Sequence, residues 1–174
     1  MSLTTDHVAV RVGIGVITLV AAMAVATTYR AEPVLAALLS TTVLWYGLLS
    51  AIDTAEQRLP NRITLPLASV TAVAVLVGGV ARSDTGDALG ALAIGMCFAL
   101  VFVFLRFGMG DAKLALTVGT IAGWLGRDAV ATTAYVGAIS GAVVALTLIL
   151  IHRRRNVTFG FGPFLALGSV AGML

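Results

Sequence analysis

Charged side chains are scarce in this sequence. Only 11% of its 174 residues are charged, whereas 59% are hydrophobic, and the mean hydropathy is +1.04. A soluble domain of this size needs many more polar side chains to cover its surface. The composition therefore excludes an ordinary soluble protein. We expect lipid to be the solvent of a single membrane-embedded domain over residues 1–174.

Cysteine and histidine are also rare, which limits the possible chemistry. Cys97 is the only cysteine and lies within an apolar run, so a disulfide framework and a cysteine zinc site are excluded. His7 and His152 lie at the ends of apolar runs, and no Cys-His or Ser-His-Asp arrangement is indicated. We predict neither a metal nor a cofactor. The net charge of +3 comes from basic residues scattered at the ends of apolar runs, which argues against nucleic-acid binding.

Long apolar runs recur along the chain, as a bilayer core of about 30 Å requires. They predict an all-α, polytopic membrane helix bundle with six to seven spanning or partly spanning helices. The five longest runs are Val8–Thr28, Pro33–Ile52, Ile63–Ala81, Ala88–Leu105 and Ala129–Ile151. Leu114–Leu125 and Phe159–Leu174 are near or below the spanning length, so each is predicted to be a tilted short helix or a re-entrant segment. The first run is long for a cleaved signal sequence and is predicted to be retained.

Basic residues at the ends of these runs predict the orientation. If all seven runs cross, one group of breaks faces one side, with Arg11, Arg58, Arg62, Arg106, Lys113 and Arg153–Arg155. The other group contains Arg30, Arg82 and Arg127, close to Glu32, Asp84, Asp87 and Asp128. Short loops rich in Lys and Arg stay in the cytoplasm. The first group is therefore predicted to face the cytoplasm in a multi-pass protein of the inner membrane.

Two acidic residues stand out by their position. Asp53 ends the second run and Asp111 follows the fourth, so both are expected on the cytoplasmic side at similar depth. Gly108 and Gly110 flank the approach to Asp111 and permit backbone conformations that a side chain would block. Two carboxyl groups held close together share one proton, so one can activate water while the other donates to a peptide carbonyl. An acid at the end of an apolar run is thus a functional candidate, although most boundary charges simply contact headgroups or water.

Three segments resemble the prepilin peptidases, also called type IV leader peptidases. Asp53–Pro66 resembles their first catalytic region, and it reads DTAEQRLPNRITLP. Gly108–Leu114 resembles their GxGDxK signature, and Phe159–Ala166 resembles their FGPFLA-like segment. A lone GxGD is a weak signal, but the three segments in this order are specific. The resemblance covers roughly Leu44 to Leu174.

The resemblance implies a GxGD-type intramembrane aspartic endopeptidase, active at the cytoplasmic membrane face. It would cut a basic leader from a prepilin or pseudopilin just before the substrate's hydrophobic helix, so that substrate and the lipid bilayer are the expected partners. Carried onto this sequence, Asp53 and Asp111 are the catalytic pair, and Gly108 and Gly110 shape the loop. Lys113 supports the loop by pairing with a carboxylate or headgroup, or simply extends to the interface.

Longer members of the family carry an N-terminal region, often with paired cysteines, that is associated with methylation of the new N-terminus. This sequence shows no such region and has one cysteine, so a short form with peptidase and no methyltransferase activity is expected. Three other interpretations stay open. A small proton- or cation-coupled transporter would use the same acids, although transporters generally place them near the midplane. The others are a non-catalytic scaffold and a GxGD protease with different membrane substrates.

Overall fold

The computed structural model describes residues 3–56, 61–152 and 160–174. These residues form helices joined by short turns, and no strand occurs among them. The helices are α1 Leu3–Thr28, α2 Pro33–Glu56, α3 Asn61–Ala81, α4 Thr85–Phe104, α5 Met109–Leu125, α6 Arg127–His152 and α7 Gly162–Met173. The predicted all-α fold class is confirmed.

Four of the helices are long and apolar enough to cross a bilayer. Their spanning parts are Pro33–Asp53, Arg62–Ala81, Thr85–Phe104 and Arg127–Leu150. Backbone N–H and C=O groups in lipid must be satisfied within the segment itself, which is why apolar sequences of this length form helices. Many large apolar side chains point outward from the bundle, as lipid solvation allows. The chain is therefore a multi-pass membrane protein.

The two shortest helices coincide with the two short apolar runs, and whether they are tilted or re-entrant stays a prediction. α5 has 17 residues and α7 has 12. At a rise of about 1.5 Å per residue they measure about 26 Å and about 18 Å, less than the bilayer core of about 30 Å. α1 has 26 residues, packs against α2, and contributes the apolar segment Val12–Thr28.

α5 is the central helix of the bundle. It packs against α3, α4, α6 and α7, and its buried residues run almost without interruption from Ala112 to Ala122. Its closest partner is α4, where Gly95 and Gly119 face each other. A Cβ atom on Gly95 would lie 2.6 Å from the Leu116 carbonyl oxygen and 2.9 Å from the Thr120 nitrogen. Glycine therefore allows these two backbones to approach closely, as small residues do between membrane helices.

Contacts at one end of the bundle agree with the predicted alternation of the breaks. Arg82, just after α3, donates from Nη2 to Glu32 Oε2 in the α1–α2 turn at 2.6 Å. The same guanidinium lies 5.6 Å from the centroid of the Trp124 ring, near the end of α5. Three helix ends from the second group of breaks therefore share one face. Arg58 and Arg153–Arg155 of the first group lie outside the described residues.

Candidate active site

Asp53 lies in the last turns of α2 and is only 2% exposed. Its carboxylate faces the start of α7, where the Gly162 backbone N–H donates to Oδ2 at 3.2 Å. The first N–H groups of a helix have no partner within the helix and carry a positive partial charge. The amino end of α7 therefore supplies a hydrogen-bond donor that a buried carboxylate needs.

Asp111 lies in the first turn of α5, before the apolar stretch that begins at Leu114, and it is partly buried. The Phe161 backbone N–H donates a hydrogen bond to its carboxylate. The pKa of Asp111 is raised to about 6: burial is the main cause, the negative charge of Asp53 adds to it, and the Phe161 amide opposes both. Since the charge of one acid acts on the other, the structure brings the two carboxyl groups into one site.

α7 is the element that joins the two acids. Among the described residues the backbones of α2 and α5 do not approach each other closely, but α7 packs against both. Consecutive amides of α7 and the residue before it hold the pair, with Phe161 on Asp111 and Gly162 on Asp53. The site is thus assembled from three helix ends that are distant in the sequence.

Two glycines on either side of Phe161 make room for Asp53. A Cβ atom on Gly160 would overlap the Asp53 carboxylate, and one on Gly162 would lie 2.9 Å from its Oδ2. Sequence reasoning noted this segment only as a resemblance and assigned it no part in the site. The available signal was a pair of glycines followed by Pro163, because proline favours the first turn of a helix, where free N–H groups are found.

The residues predicted to support the Asp111 loop have ordinary geometry. Gly108 has φ −58°, which any residue adopts, and a Cβ atom there would lie 3.7 Å from Asp111 Oδ2, a normal contact. Gly110 is helical, so neither glycine uses a backbone conformation closed to other residues. The left-handed turn between α4 and α5 is made instead by Arg106, with φ 58°. Lys113 is partly buried one turn into α5, and its supporting role stays a prediction.

Neither acid belongs to the large cavity of the described bundle. That cavity has a volume of about 670 Å³, is formed by α2 and α3 together with Ile121 and Trp124 of α5, and is lined mainly by apolar side chains that include neither Asp53 nor Asp111. In residues 3–56, 61–152 and 160–174 no group of three or more His, Cys, Asp or Glu side chains is placed to hold a metal ion. Two carboxyl groups in one site can share a proton.

Comparison with known proteins decides the family. The sequence profile of the type IV leader peptidase family matches residues 40–146, which contain both Asp53 and Asp111. This chain belongs to that family. The match ends before α7, so the segment that joins the two acids is not part of it.

Several curated relatives are similar to this chain, and all three described here are named prepilin leader peptidase/N-methyltransferase. The relative from Escherichia coli K12 is 35% identical over 133 residues, which cover 72% of this chain and 57% of the relative. The relative from Aeromonas salmonicida is 33% identical over 149 residues, 80% of this chain and 49% of its own length. The relative from Pectobacterium carotovorum is 34% identical over 137 residues, 72% and 47% respectively. The chain thus spans about half the length of these relatives, and no solved structure matches it.

Proposed function

We propose that this chain is an aspartic endopeptidase that removes the leader of a prepilin-like protein. The observation that carries the proposal is the pair of carboxyl groups in one site, held by adjacent backbone amides. Membership in the leader peptidase family and the names of the relatives support the substrate class.

The two acids have different environments, which suggests different roles. The pKa of Asp111 is raised to about 6, and we assign the shared proton to its carboxyl group. Asp53 would then be the ionised partner and would accept a proton from water as the water attacks the scissile carbonyl carbon. Asp111 would donate its proton to the carbonyl oxygen, which gives a tetrahedral diol. As the C–N bond breaks, Asp53 would pass its proton to the leaving nitrogen and Asp111 would take one back from a hydroxyl group of the diol. Because the groups interact, the pH dependence belongs to the pair.

Access to the pair is expected from the side of Asp111. Asp53 is 2% exposed, whereas Asp111 keeps part of its surface open. A peptide that approaches the site would therefore meet Asp111 first, which fits its proposed role as the donor to the carbonyl oxygen.

The proposed location is the cytoplasmic face of the inner membrane. Asp53 and Asp111 lie at the ends of their helices, and these ends are on the side of the bundle opposite to the Arg82–Glu32 pair. The excess of Arg and Lys in the breaks near the acids supports the cytoplasmic side. A leader that crosses from cytoplasm into a hydrophobic helix would present its scissile bond at this depth. The absence of methyltransferase activity stays a prediction.

Substitution of each acid tests the proposal. Asp53→Asn and Asp111→Asn should each lower cleavage of a co-expressed, tagged prepilin by about a thousandfold or more, because each removes one half of the proton exchange. Asp87→Asn, at an exposed acid in the first turn of α4, is the matched control and should cleave at the parental rate. Membrane insertion of all three variants is checked by extraction and protease accessibility.

A parental rate of cleavage in either site variant would remove that residue from the catalytic pair. If the parent protein cleaves no prepilin and instead moves protons or cations in reconstituted vesicles, and both Asn variants lose that flux, the transporter interpretation replaces the peptidase.

A further inference from the structure

Phe161 occupies the position between the two acids. Its own backbone N–H bonds Asp111, and the next N–H, that of Gly162, bonds Asp53. Its side chain lies in a group of phenylalanine rings. The conformation of the main chain at Phe161 therefore sets the positions of both N–H donors.

The Phe161 ring is held by rings from two other parts of the chain. Its centroid lies 5.3 Å from that of Phe102 at the end of α4 and 5.1 Å from that of Phe107 in the α4–α5 loop. Phe164 in α7 adds a third ring at 5.6 Å, and Phe102 and Phe107 are themselves 5.0 Å apart. Centroid distances of this size with tilted planes are the favourable arrangement for aromatic pairs. This aromatic group, Phe102, Phe107, Phe161 and Phe164, ties the start of α7 to the loop that precedes Asp111.

The Phe161 ring also contacts α6. Gly141 has no side chain, and a Cβ atom there would lie 2.7 Å from Phe161 Cζ and closer still to Cε2. The ring therefore rests directly on the α6 backbone. Three rings and the α6 backbone thus contact it, so a shift of the ring is coupled to the main chain of residue 161.

The flanking residues cannot do this positioning themselves. Gly160 and Gly162 lack side chains, and their lack of a Cβ atom is what admits the Asp53 carboxylate. A glycine has more backbone freedom than any other residue, so a Gly-X-Gly segment needs an anchor at X to hold one conformation. The Phe161 ring is that anchor.

We propose that Phe161 is a positioning residue of the active site. Its ring packs against the other three rings of the aromatic group and against Gly141. These contacts fix the two backbone amides that set the carboxyl groups of Asp53 and Asp111 relative to each other. The inference rests on the proposed peptidase function. A phenyl ring exchanges no proton, so Phe161 takes no direct part in the chemistry. Its contribution passes through the main chain alone.

Loosening the ring should change both the rate and the pH dependence. A displacement of about 1 Å in a catalytic constellation can lower the rate by about a hundredfold. The amide of Phe161 favours the charged form of Asp111, so losing that hydrogen bond raises the pKa of this acid further. Asp53 from α2 is the charged group that acts on Asp111 from the opposite side of the site. The limb of the pH profile that reports loss of the Asp111 proton should then move to higher pH, by about one unit.

Three variants of the full-length protein test the proposal. Phe161→Leu replaces the ring with a smaller side chain, and Gly141→Ala adds a methyl group on α6 that overlaps the ring. The double variant places the smaller side chain next to the added methyl group. Gly137→Ala is the matched control, one helical turn earlier on α6, where a Cβ atom would meet only the Phe164 carbonyl oxygen at 3.4 Å. Cleavage of a leader peptide substrate is measured in detergent across a pH series. In parallel, infrared titration of the protonated carboxyl stretch follows Asp111, which is assigned by comparison with Asp111→Asn.

Phe161→Leu and Gly141→Ala should each lower kcat about tenfold to a hundredfold with little change in KM, and should move the Asp111 titration to higher pH. The double variant should be no worse than Phe161→Leu, because the smaller side chain accommodates the methyl group. Gly137→Ala should match the parent. Unchanged titration and unchanged kcat in both single variants would overturn the proposal, and so would a double variant whose losses simply multiply. If the parent cleaves no substrate, the proposed function fails, while the titration still decides whether the ring positions the acids.

Discussion

Replacing Asp111 with asparagine should make the folded protein more stable at neutral pH while removing its activity. The pKa of Asp111 is raised from 3.8 to about 6, chiefly by burial. Each pKa unit corresponds to about 1.36 kcal/mol, so holding this group ionised in the folded state costs at most about 3 kcal/mol. Asparagine has nearly the same shape, keeps an oxygen that accepts the Phe161 N–H, and carries no charge.

The sign of the pH dependence follows from proton binding. The folded protein binds the Asp111 proton more tightly than the unfolded chain, so stability falls as the pH rises from 3.8 to about 6. Below that window both states hold the proton, and the cost disappears. The advantage of Asp111→Asn should therefore be small near about pH 4 and close to its full value at about pH 7.5. Partial exposure of Asp111 and its coupling to Asp53 make about 3 kcal/mol the upper limit.

Reversible unfolding in mixed micelles at the two pH values measures this difference. Asp87→Asn, at an exposed acid of α4, serves as the control and should track the parent at both. The reasoning is refuted if Asp111→Asn destabilises the protein more at about pH 7.5 than at about pH 4, since that would mean that favourable contacts stabilise the ionised carboxyl group. A stabilised but inactive variant is the expected signature of a residue kept for chemistry at a cost in stability.

Three further predictions concern individual contacts. Gly160→Ala should lower leader cleavage about a hundredfold with little loss of stability, because the atoms nearest to the added Cβ belong to the end of the Asp53 side chain. Gly90→Ala, at an open position, should change neither the cleavage nor the stability. Gly95→Ala should lower the free energy of unfolding by about 1–3 kcal/mol, because its Cβ meets the backbone of α5, with Gly90→Ala on the same helix again unaffected. Glu32→Ala should change the free energy of unfolding by less than about 1 kcal/mol, because both side chains of its pair with Arg82 are more than half exposed. A larger loss would show that this pair contributes substantially to the stability of the bundle.

The sequence was sufficient to predict the helices and to place the two acids on the same side of the bundle. Apolar runs of spanning length predict α2, α3, α4 and α6, because in lipid such segments have no alternative to a helix. Counting the crossings between Asp53 and Asp111 places both acids on one side, and the structure brings them together there. The apolar lengths of Leu114–Leu125 and Phe159–Leu174 likewise foretell that α5 and α7 are short.

The clearance around the acids could not be predicted, because it depends on distances between helices that periodicity does not encode. Gly108 and Gly110 lie beside Asp111 in the sequence and were natural candidates for special backbone geometry, yet both are ordinary. The glycines that a side chain would spoil are Gly160 and Gly162, more than 100 positions from the aspartate they accommodate. Only the contact between α2 and α7 reveals their role.

The length of α7 makes sense once its contribution is seen to be its first turn. A helix that crosses the bilayer must match a thickness of about 30 Å, but a helix that offers free amides to an acid needs only its amino end at the right depth. α7 meets that need with 12 residues, while buried side chains such as Leu165 and Met173 anchor it within the bundle. Because the backbones of α2 and α5 stay apart and α7 packs against both, the separation of Asp53 and Asp111 depends on where this short helix starts. Any change that slides α7 along its axis should therefore alter the chemistry of the pair before it unfolds the protein.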